Sequence, residues 1–322
     1  NEYNESNAVM NLVLFEQAIE HICRITRVID QPRGNALLVG VGGSGKQSLA
    51  KLSAFICGYE VFQITVTSTY SVADFKLDLQ SLYTKSGVKG IGTCFIMTDG
   101  QIVDERFLVY VNDMLATGNI ADLFTNEEKD DVCNGVRSEM KQLGYVDTRE
   151  NCWDFFIEKT RRYLHTVLCF SPVGDKFRVR ARQFPALTSC TSIDWFHAWP
   201  VDALVAVGQR FIKDIPDIPE ESAEQLAHHM AFVHTVVNDK SVEYLESERR
   251  YNYTTPKSFL DLIDLYKDLL AKKREGIRAL KERLENGLDK LRSASDQVAD
   301  LQASLKVEIA VVEEKKAATE QL

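Results

Sequence analysis

The stretch Ala36-Leu37-Leu38-Val39-Gly40-Val41-Gly42-Gly43-Ser44-Gly45-Lys46-Gln47-Ser48-Leu49-Ala50-Lys51-Leu52 decides the fold. Apolar residues lead into a glycine-rich turn, and the turn opens a helical pattern. Strand, loop and helix in that order make a phosphate cradle. Glycines let backbone N–H groups turn inward, the helix N-terminus adds the positive end of its dipole, and Lys46 supplies a point charge. From Gly40 to Lys46 the loop follows G-x-x-x-x-G-K-[ST], and it departs at the next position. Where a Ser or Thr hydroxyl would reach Mg²⁺, Gln47 carries a longer amide, a poorer ligand for a hard cation. Ser48 comes one residue late, about 100° further round the helix. The motif implies a nucleotide site with weakened metal chemistry, bound by Gly40, Val41, Gly42, Gly43, Ser44, Gly45, Lys46, Gln47 and Ser48. A glycine-rich turn that binds nothing is the alternative.

With 322 residues, the chain exceeds one core of usual size and fits two domains, or one domain with an appendage. A net charge of -9 and the lack of a Lys/Arg stripe argue against a nucleic-acid platform. The seven cysteines stand singly with no C-x-x-C pair, several within apolar runs, which suits reduced thiols packing as small hydrophobes in a reducing compartment. There is no signal-peptide pattern and no run of about eighteen apolar residues, so neither secretion nor a membrane span is expected. The chain opens mid-pattern without a methionine, as a fragment would.

Along the chain, Leu12, Phe15, Ile19, Ile22, Cys23 and Val28 are spaced as a helix over residues 9–29, ended by Gln31-Pro32-Arg33-Gly34. Tyr59 to Thr67 is predicted to be a strand and Ser71 to Tyr83 a helix. Strand and helix alternate, so the class is α/β with a parallel sheet. Thr93 to Asp99 is a third strand. Its terminal Asp99 is either a carboxylate acting on metal and water or an ordinary polar turn with Gly100; Thr98 stands before it. Helices follow at Asp104 to Thr117, Asn126 to Leu143 and Thr148 to His165. A fourth strand covers Thr166 to Phe170, with His165 at its start as a satisfied surface or edge residue. Lys176 to Arg182 holds four basic residues in seven and is either a solvated face or an arginine aimed at a neighbour's phosphates. Ser192 to Phe196 is a short fifth strand.

From Trp199-Pro200 the patterns become helical: Asp202 to Lys213, Ser222 to Leu245, and Pro256 to Leu270, a small helical lid. Within it, the adjacent His228 and His229 diverge by about 100° on a helix and make a poor metal site. The final segment carries a seven-residue repeat. Ile277, Leu284, Leu291, Val298, Leu305 and Val312 fall at a positions, and Leu280, Ala294 and Leu301 at d. Gly287, Glu308 and Lys315 interrupt the d positions, so the seam is narrow and asks for a partner strand.

Five stretches, LLVGVGGSGKQSLAKLSAF (37–55), FIMTDGQIVDERFL (95–108), LCFSPVGDKFRVRARQFPAL (168–187), IDWFHAWP (193–200) and YNYTTPKSFLDLI (251–263), resemble the dynein heavy-chain family, at its fourth AAA+ module and the start of its stalk. The Lys-Gln-Ser after the loop and the Thr-Asp of the third strand are similar to the axonemal branch. The resemblance implies an AAA+ P-loop NTPase with a five-stranded parallel sheet, an α-helical lid and a C-terminal coiled-coil helix. Its parts would be residues 1–34 as a linker helix, 35–198 as the large α/β subdomain, 199–270 as the lid and 271–322 as the first part of the stalk. It implies ADP or ATP at Gly40 to Ser48, with Mg²⁺ as a possible companion. Asp99 falls on the catalytic glutamate position and Thr98 on that of the metal-associated aspartate. Ser171 falls on the first sensor position and Lys257 on the second. The arginine-finger position aligns with Cys190, with Arg180 or Arg182 as substitutes within reach of a neighbour. These departures speak against hydrolysis at this site. Implied partners are neighbouring AAA+ modules, the second stalk strand and, through the stalk tip, a microtubule. Nucleic acid and membrane are not among them. The implied location is the cytoplasm, within the cytoskeleton of the ciliary axoneme.

Two other functions fit parts of the pattern. A coiled-coil tether with a nucleotide-free P-loop fold would differ only in what it retains. A chromosome-structure or repair ATPase also sends a coil from a P-loop domain, but before its sheet is complete, whereas Asp99 and the fourth and fifth strands precede the coil here. If residues 277–312 are half of a stalk, amide exchange should be slow near Leu269-Leu270 and progressively faster toward Leu322, or uniformly slow only in a paired species. Strong protection to the end in a demonstrated monomer would remove the stalk assignment.

Overall fold

Ala36–Gly40 forms β1, buried at every position, and the sheet grows outward from it in both directions. The structure, a computed structural model, describes residues 2–10 and 12–320, with the backbone alone over 317–320. The other strands are β2 (Glu60–Phe62), β3 (Thr93–Thr98), β4 (Leu164–Phe170) and β5 (Ser192–Phe196), in the order β2-β3-β4-β1-β5, every pair parallel. The helices are α1 (Glu2–Ser6), α2 (Glu16–Ile29), α3 (Lys46–Ile56), α4 (Val72–Tyr83), α5 (Arg106–Ala116), α6 (Asn126–Gln142), α7 (Arg149–Tyr163), α8 (Lys176–Gln183), α9 (Ala186–Ser189), α10 (Val201–Lys213), α11 (Glu220–Glu248) and α12 (Pro256–Glu320). Parallel strands covered on both faces tolerate continuous apolar runs, which is why β1, β3 and β4 show no polar alternation.

The two-residue period of the strands divides the core into two layers. Leu37, Val39, Phe95, Met97, Leu168 and Phe170 point to the side where Phe75, Phe107, Val111 and Phe156 of α4, α5 and α7 pack. Ala36, Leu38, Cys94, Ile96, Val167 and Cys169 point the other way, against Ile22, Ile25 and Ile29 of α2 and Leu49 and Ala50 of α3. Local chemistry fixes several helix starts: Ser71 with Asp74 and Thr125 with Glu128 form reciprocal capping boxes, and Thr148 caps α7. Beyond the sheet, α10 and α11 cross closely where Gly208 faces Ala227; a side chain at Gly208 would lie 3.2 Å from the Ala227 Cβ.

The chain divides into two compact units, Asn1–Asp261 and Leu262–Leu322. The second is the continuation of α12. Its six a residues, Ile277 to Val312, are between 52% and 69% exposed, so the apolar seam has no cover among the described residues. The last two residues of the expected 271–322 segment lie outside the described residues.

Several expectations change. The second strand stops at Phe62 rather than Thr67, because its only neighbour, β3, pairs it over Glu60 to Phe62; past that edge the Gln101 side chain donates to the Ile64 carbonyl at 2.6 Å. The first long helix begins at Glu16, not at residue 9, since Phe15 is extended (φ -106°, ψ 168°). Helix α12 does not end near Leu270. No Gly or Pro stop signal interrupts it there, and Gly276 and Gly287 are carried inside the helix.

His165 is neither a surface nor an edge residue. It lies fully buried in β4, the middle strand, stacked on Tyr59 with centroids 4.9 Å apart. Its Nδ1 is 2.8 Å from the Gly34 carbonyl, and its Nε2 is buried without a partner. Burial pushes its pKa below the ordinary 6.5, outweighing the pull of the Gly34 carbonyl, so the ring is neutral in the fold. The unfolded chain therefore takes up this proton first, and stability should fall as the pH drops below about 6.5. His234, lowered by burial as well, adds to the same window. His165→Asn, which can keep the Gly34 bond, should flatten part of that slope while losing about 1 kcal/mol of stacking at neutral pH. Denaturant midpoints across the window check both effects; an unchanged slope would mean that His165 does not titrate there.

Candidate nucleotide site

Three neighbouring strand ends meet at one edge of the sheet. β4 lies between β1 and β3, so Ser171, just past β4, stands between Gly40 and Asp99. Open parallel α/β sheets place their ligands at such carboxyl ends. The loop after β1 turns through two left-handed glycines, Gly43 (φ +76°) and Gly45 (φ +87°). Gly45 is the N-cap of α3 and offers no side-chain cap, leaving the first amides of that helix to an external acceptor. Gly40 is pressed against β5, where a Cβ would come within 2.7 Å of the Phe196 Cβ.

Lys46 is buried, with Nζ donating to the Gly40 carbonyl at 2.6 Å, the Val41 carbonyl at 2.8 Å and Ser44 Oγ at 3.1 Å. Burial pushes its pKa below the usual lysine value, and nearby negative charge acts in the opposite direction. The thiol of Cys169 is itself pushed up to about 12 by burial and is neutral at pH 7, which leaves Asp99 as the counter-charge. An ammonium held mainly by neutral dipoles is poised to exchange them for an anion.

Asp99 opens a 3₁₀ turn, Asp99–Gln101, directly after β3. Its Oδ1 accepts from Arg180 Nη1 at 2.9 Å and its Oδ2 from the Ser171 N–H. The same guanidinium holds Glu105, with Nη2 to Oε1 at 2.7 Å and Nε to both oxygens at 3.2 Å. Arg180 is thus paired with two carboxylates of its own chain; Arg182 is exposed and Cys190 packs partly buried against the core. The Thr98 hydroxyl bonds Gln101 Oε1 at 3.1 Å, and Gln47 Oε1 accepts from Gln63 Nε2 at 3.3 Å. Among the described residues lining the site, the oxygens within reach of Mg²⁺ are therefore one carboxylate already paired with Arg180, the neutral hydroxyls of Thr98 and Ser171, one amide turned to Gln63, and Ser48 a residue late. That set does not fit a hard cation. Among the described residues no group of three or more His, Cys, Asp and Glu side chains is placed to hold a metal.

A cavity of about 730 Å³ includes Gly42 to Ser48, Thr98, Asp99, Ser171 and Lys257, so every residue singled out around the phosphates but Gly40 and Val41 lines one space. It extends into an apolar end made by Leu12, Val13, Phe15, Trp199, Val207 and Leu260, where Phe15 and Trp199 meet edge to face at 5.1 Å. Sequence reasoning missed this end. Leu12 and Phe15 fit a helical spacing, and Trp199 stood at a change of composition; an apolar residue at each border of the sheet segment was the available signal.

A P-loop closing β1, the strand order and the helices after β5 define an AAA+ nucleotide-binding fold. The chain belongs to the family described as "P-loop containing dynein motor region D4", whose match covers residues 10–269. It is 63% identical over 321 residues to "Dynein beta chain, flagellar outer arm" of Chlamydomonas reinhardtii, covering 100% of this chain and 7% of that protein. It is 58% identical over 303 residues to "Dynein beta chain, ciliary" of Heliocidaris crassispina (94% and 7%) and 55% identical over 320 residues to "Dynein axonemal heavy chain 17" of Homo sapiens (99% and 7%). The chain spans a small part of the length of these relatives.

The glycines give a direct check of the loop. Gly43→Ala meets both a left-handed backbone, which costs about 1–2 kcal/mol, and the Lys257 Cβ at 2.6 Å, whereas Gly45→Ala meets only a backbone of the same kind with open space around it. Gly43→Ala should therefore be the more destabilising of the two in denaturant titration. Equal losses would show that the start of α12 yields without cost.

Proposed function

We propose that this cavity binds ADP or ATP, with the base in the apolar end and the phosphates along Gly40 to Ser48 beside Lys46. The observation that carries this reading is the continuity of the two ends: the uncapped start of α3 and a buried ammonium open into an aromatic and aliphatic slot within one cavity. Ser171 and Lys257 would sense the phosphates from β4 and from the start of α12. Asp99 would take the place of the hydrolytic carboxylate. Held by Arg180 and Ser171, it is poorly free to activate water, so hydrolysis at this site is weak or absent.

On this reading the chain is a regulatory nucleotide-binding module of a dynein microtubule motor. Residues 35–198 form its large subdomain, 199–270 its lid and 271–322 the start of its stalk, preceded by a linker over 1–34. Lys257 and the exposed heptad residues sit on the same helix, α12, which gives nucleotide state a continuous element through which to act on the stalk. Partners would be adjoining AAA+ modules of the heavy chain, the second stalk strand and, indirectly, the microtubule. Relatives named for the flagellar outer arm, cilium and axoneme support a place in the ciliary axoneme. No helix among the described residues is long and apolar enough to cross a membrane.

Nucleotide extracted from the purified chain and identified by chromatography and mass should be ADP or ATP. Lys46→Ala should lose it, because the ammonium is the mobile cation that the loop places at the phosphates. Unchanged affinity in calorimetry would overturn the assignment. Turnover of ATP should stay well below about 1 per second, the low end of ordinary enzymes.

A further inference from the structure

Charge around the phosphate end is uneven. Among the described residues that line the cavity, Asp99 is the only acidic one, while Lys46 and Lys257 are both present. Asp99 is also the carboxylate that a buried guanidinium holds: the Arg180 side chain is 7% exposed and binds Asp99 with one nitrogen and Glu105 with the other side of its fork. An arginine cannot shed its charge, so in this position it must keep its carboxylates. A divalent ion approaching Asp99 would meet that fixed positive charge in a poorly screened setting. Of the other oxygens, Gln47 Oε1 is turned to Gln63, and Thr98, which donates to Gln101, Ser48 and Ser171 offer neutral hydroxyls only, with no second carboxylate among the described lining residues.

We propose that nucleotide occupies this cavity as the metal-free anion, its charge met by Lys46, Lys257 and the first amides of α3, with Arg180 as the positioning residue that keeps Asp99 from recruiting Mg²⁺. This rests on the nucleotide reading above. Arg180 brings to Asp99 the positive charge that an ion would otherwise supply, so the pull of that carboxylate on Lys46 is weakened and the lysine charge is left more to the phosphates.

The test compares ADP affinity of the 322-residue chain by calorimetry in excess EDTA and in excess Mg²⁺. Affinity in EDTA should equal or exceed that in Mg²⁺, since the ion competes for free ADP without gaining a protein ligand. Tightening by Mg²⁺ beyond about threefold would overturn the proposal while leaving nucleotide binding in place; no binding in either buffer would overturn the nucleotide reading instead. Arg180→Met, which frees Asp99, should introduce a tightening by Mg²⁺ of about tenfold, the size of one charge-assisted contact, and Arg180→Lys should show less. A folded Arg180→Met chain that binds ADP without any gain from Mg²⁺ would remove the positioning role. The wild-type comparison decides the metal-free claim even if the Met variant does not fold.

Discussion

Everything at the site depends on the parallel pairing of β1 with β4 on one side and β5 on the other. Ala36 to Val39 pair with Val167 to Phe170, and Ala36 to Gly40 with Ser192 to Phe196, so the end of β1 is held from both sides before the loop begins. Because β4 in turn pairs with β3 as far as Thr98, the residues that follow the three strands emerge at one level. A slip of one residue in β1 would exchange Leu37 and Val39 with Ala36 and Leu38 between layers whose partners differ in size. It would also draw Gly40 away from Phe196, where only a glycine fits. The loop geometry is therefore set by sheet register more than by its own glycines, which permit the turn but do not aim it.

Much of this was legible in the sequence, for reasons that can be located. The P-loop was visible because glycine spacing, the lysine and the flanking patterns are all local. β1, β3 and β4 were visible as apolar runs, and α4, α6 and α7 carried caps of their own. What could not be read was long-range or negative. Arg180 and Asp99 lie 81 residues apart, and a basic run of four in seven residues gives no sign that its third member turns inward. The truncation of β2 follows from its position at the edge, which composition does not encode. His165 looked peripheral because it preceded the apolar run; it is central because β4 is the middle strand.

Helix α12 shows a different limit. The residues of its heptad pattern do lie on one helix, yet propensity alone gave no reason for it to run unbroken from Pro256 to Glu320. Gly276 and Gly287 each cost about 1 kcal/mol relative to alanine in a helix interior. A lone helix with an exposed apolar stripe repays that poorly, since helix stability in proteins comes mainly from burying an amphipathic face. The sequence is therefore consistent with a helix written for a second strand. The interruptions at Gly287, Glu308 and Lys315 thin the seam without abolishing it, which suits an interface that holds weakly along its length.

The two buried cations divide the electrostatic work. Lys46 is hydrogen-bonded to two carbonyls and a hydroxyl, neutral groups, with Asp99 as its nearby counter-charge, and burial lowers its pKa. Arg180 is satisfied by two carboxylates and has little attraction left for a further anion. An anionic ligand entering the cavity therefore gains from Lys46 and from the dipole of α3, and much less from Arg180. The same difference separates binding from chemistry. Holding phosphate asks for a cation whose neutral partners can be exchanged and for the uncapped start of α3, whereas activating water asks for a carboxylate turned to the water, and Arg180 and the Ser171 amide each engage one oxygen of Asp99. In the function proposed above, the fold keeps the first of these while the Arg180–Asp99 ion pair works against the second.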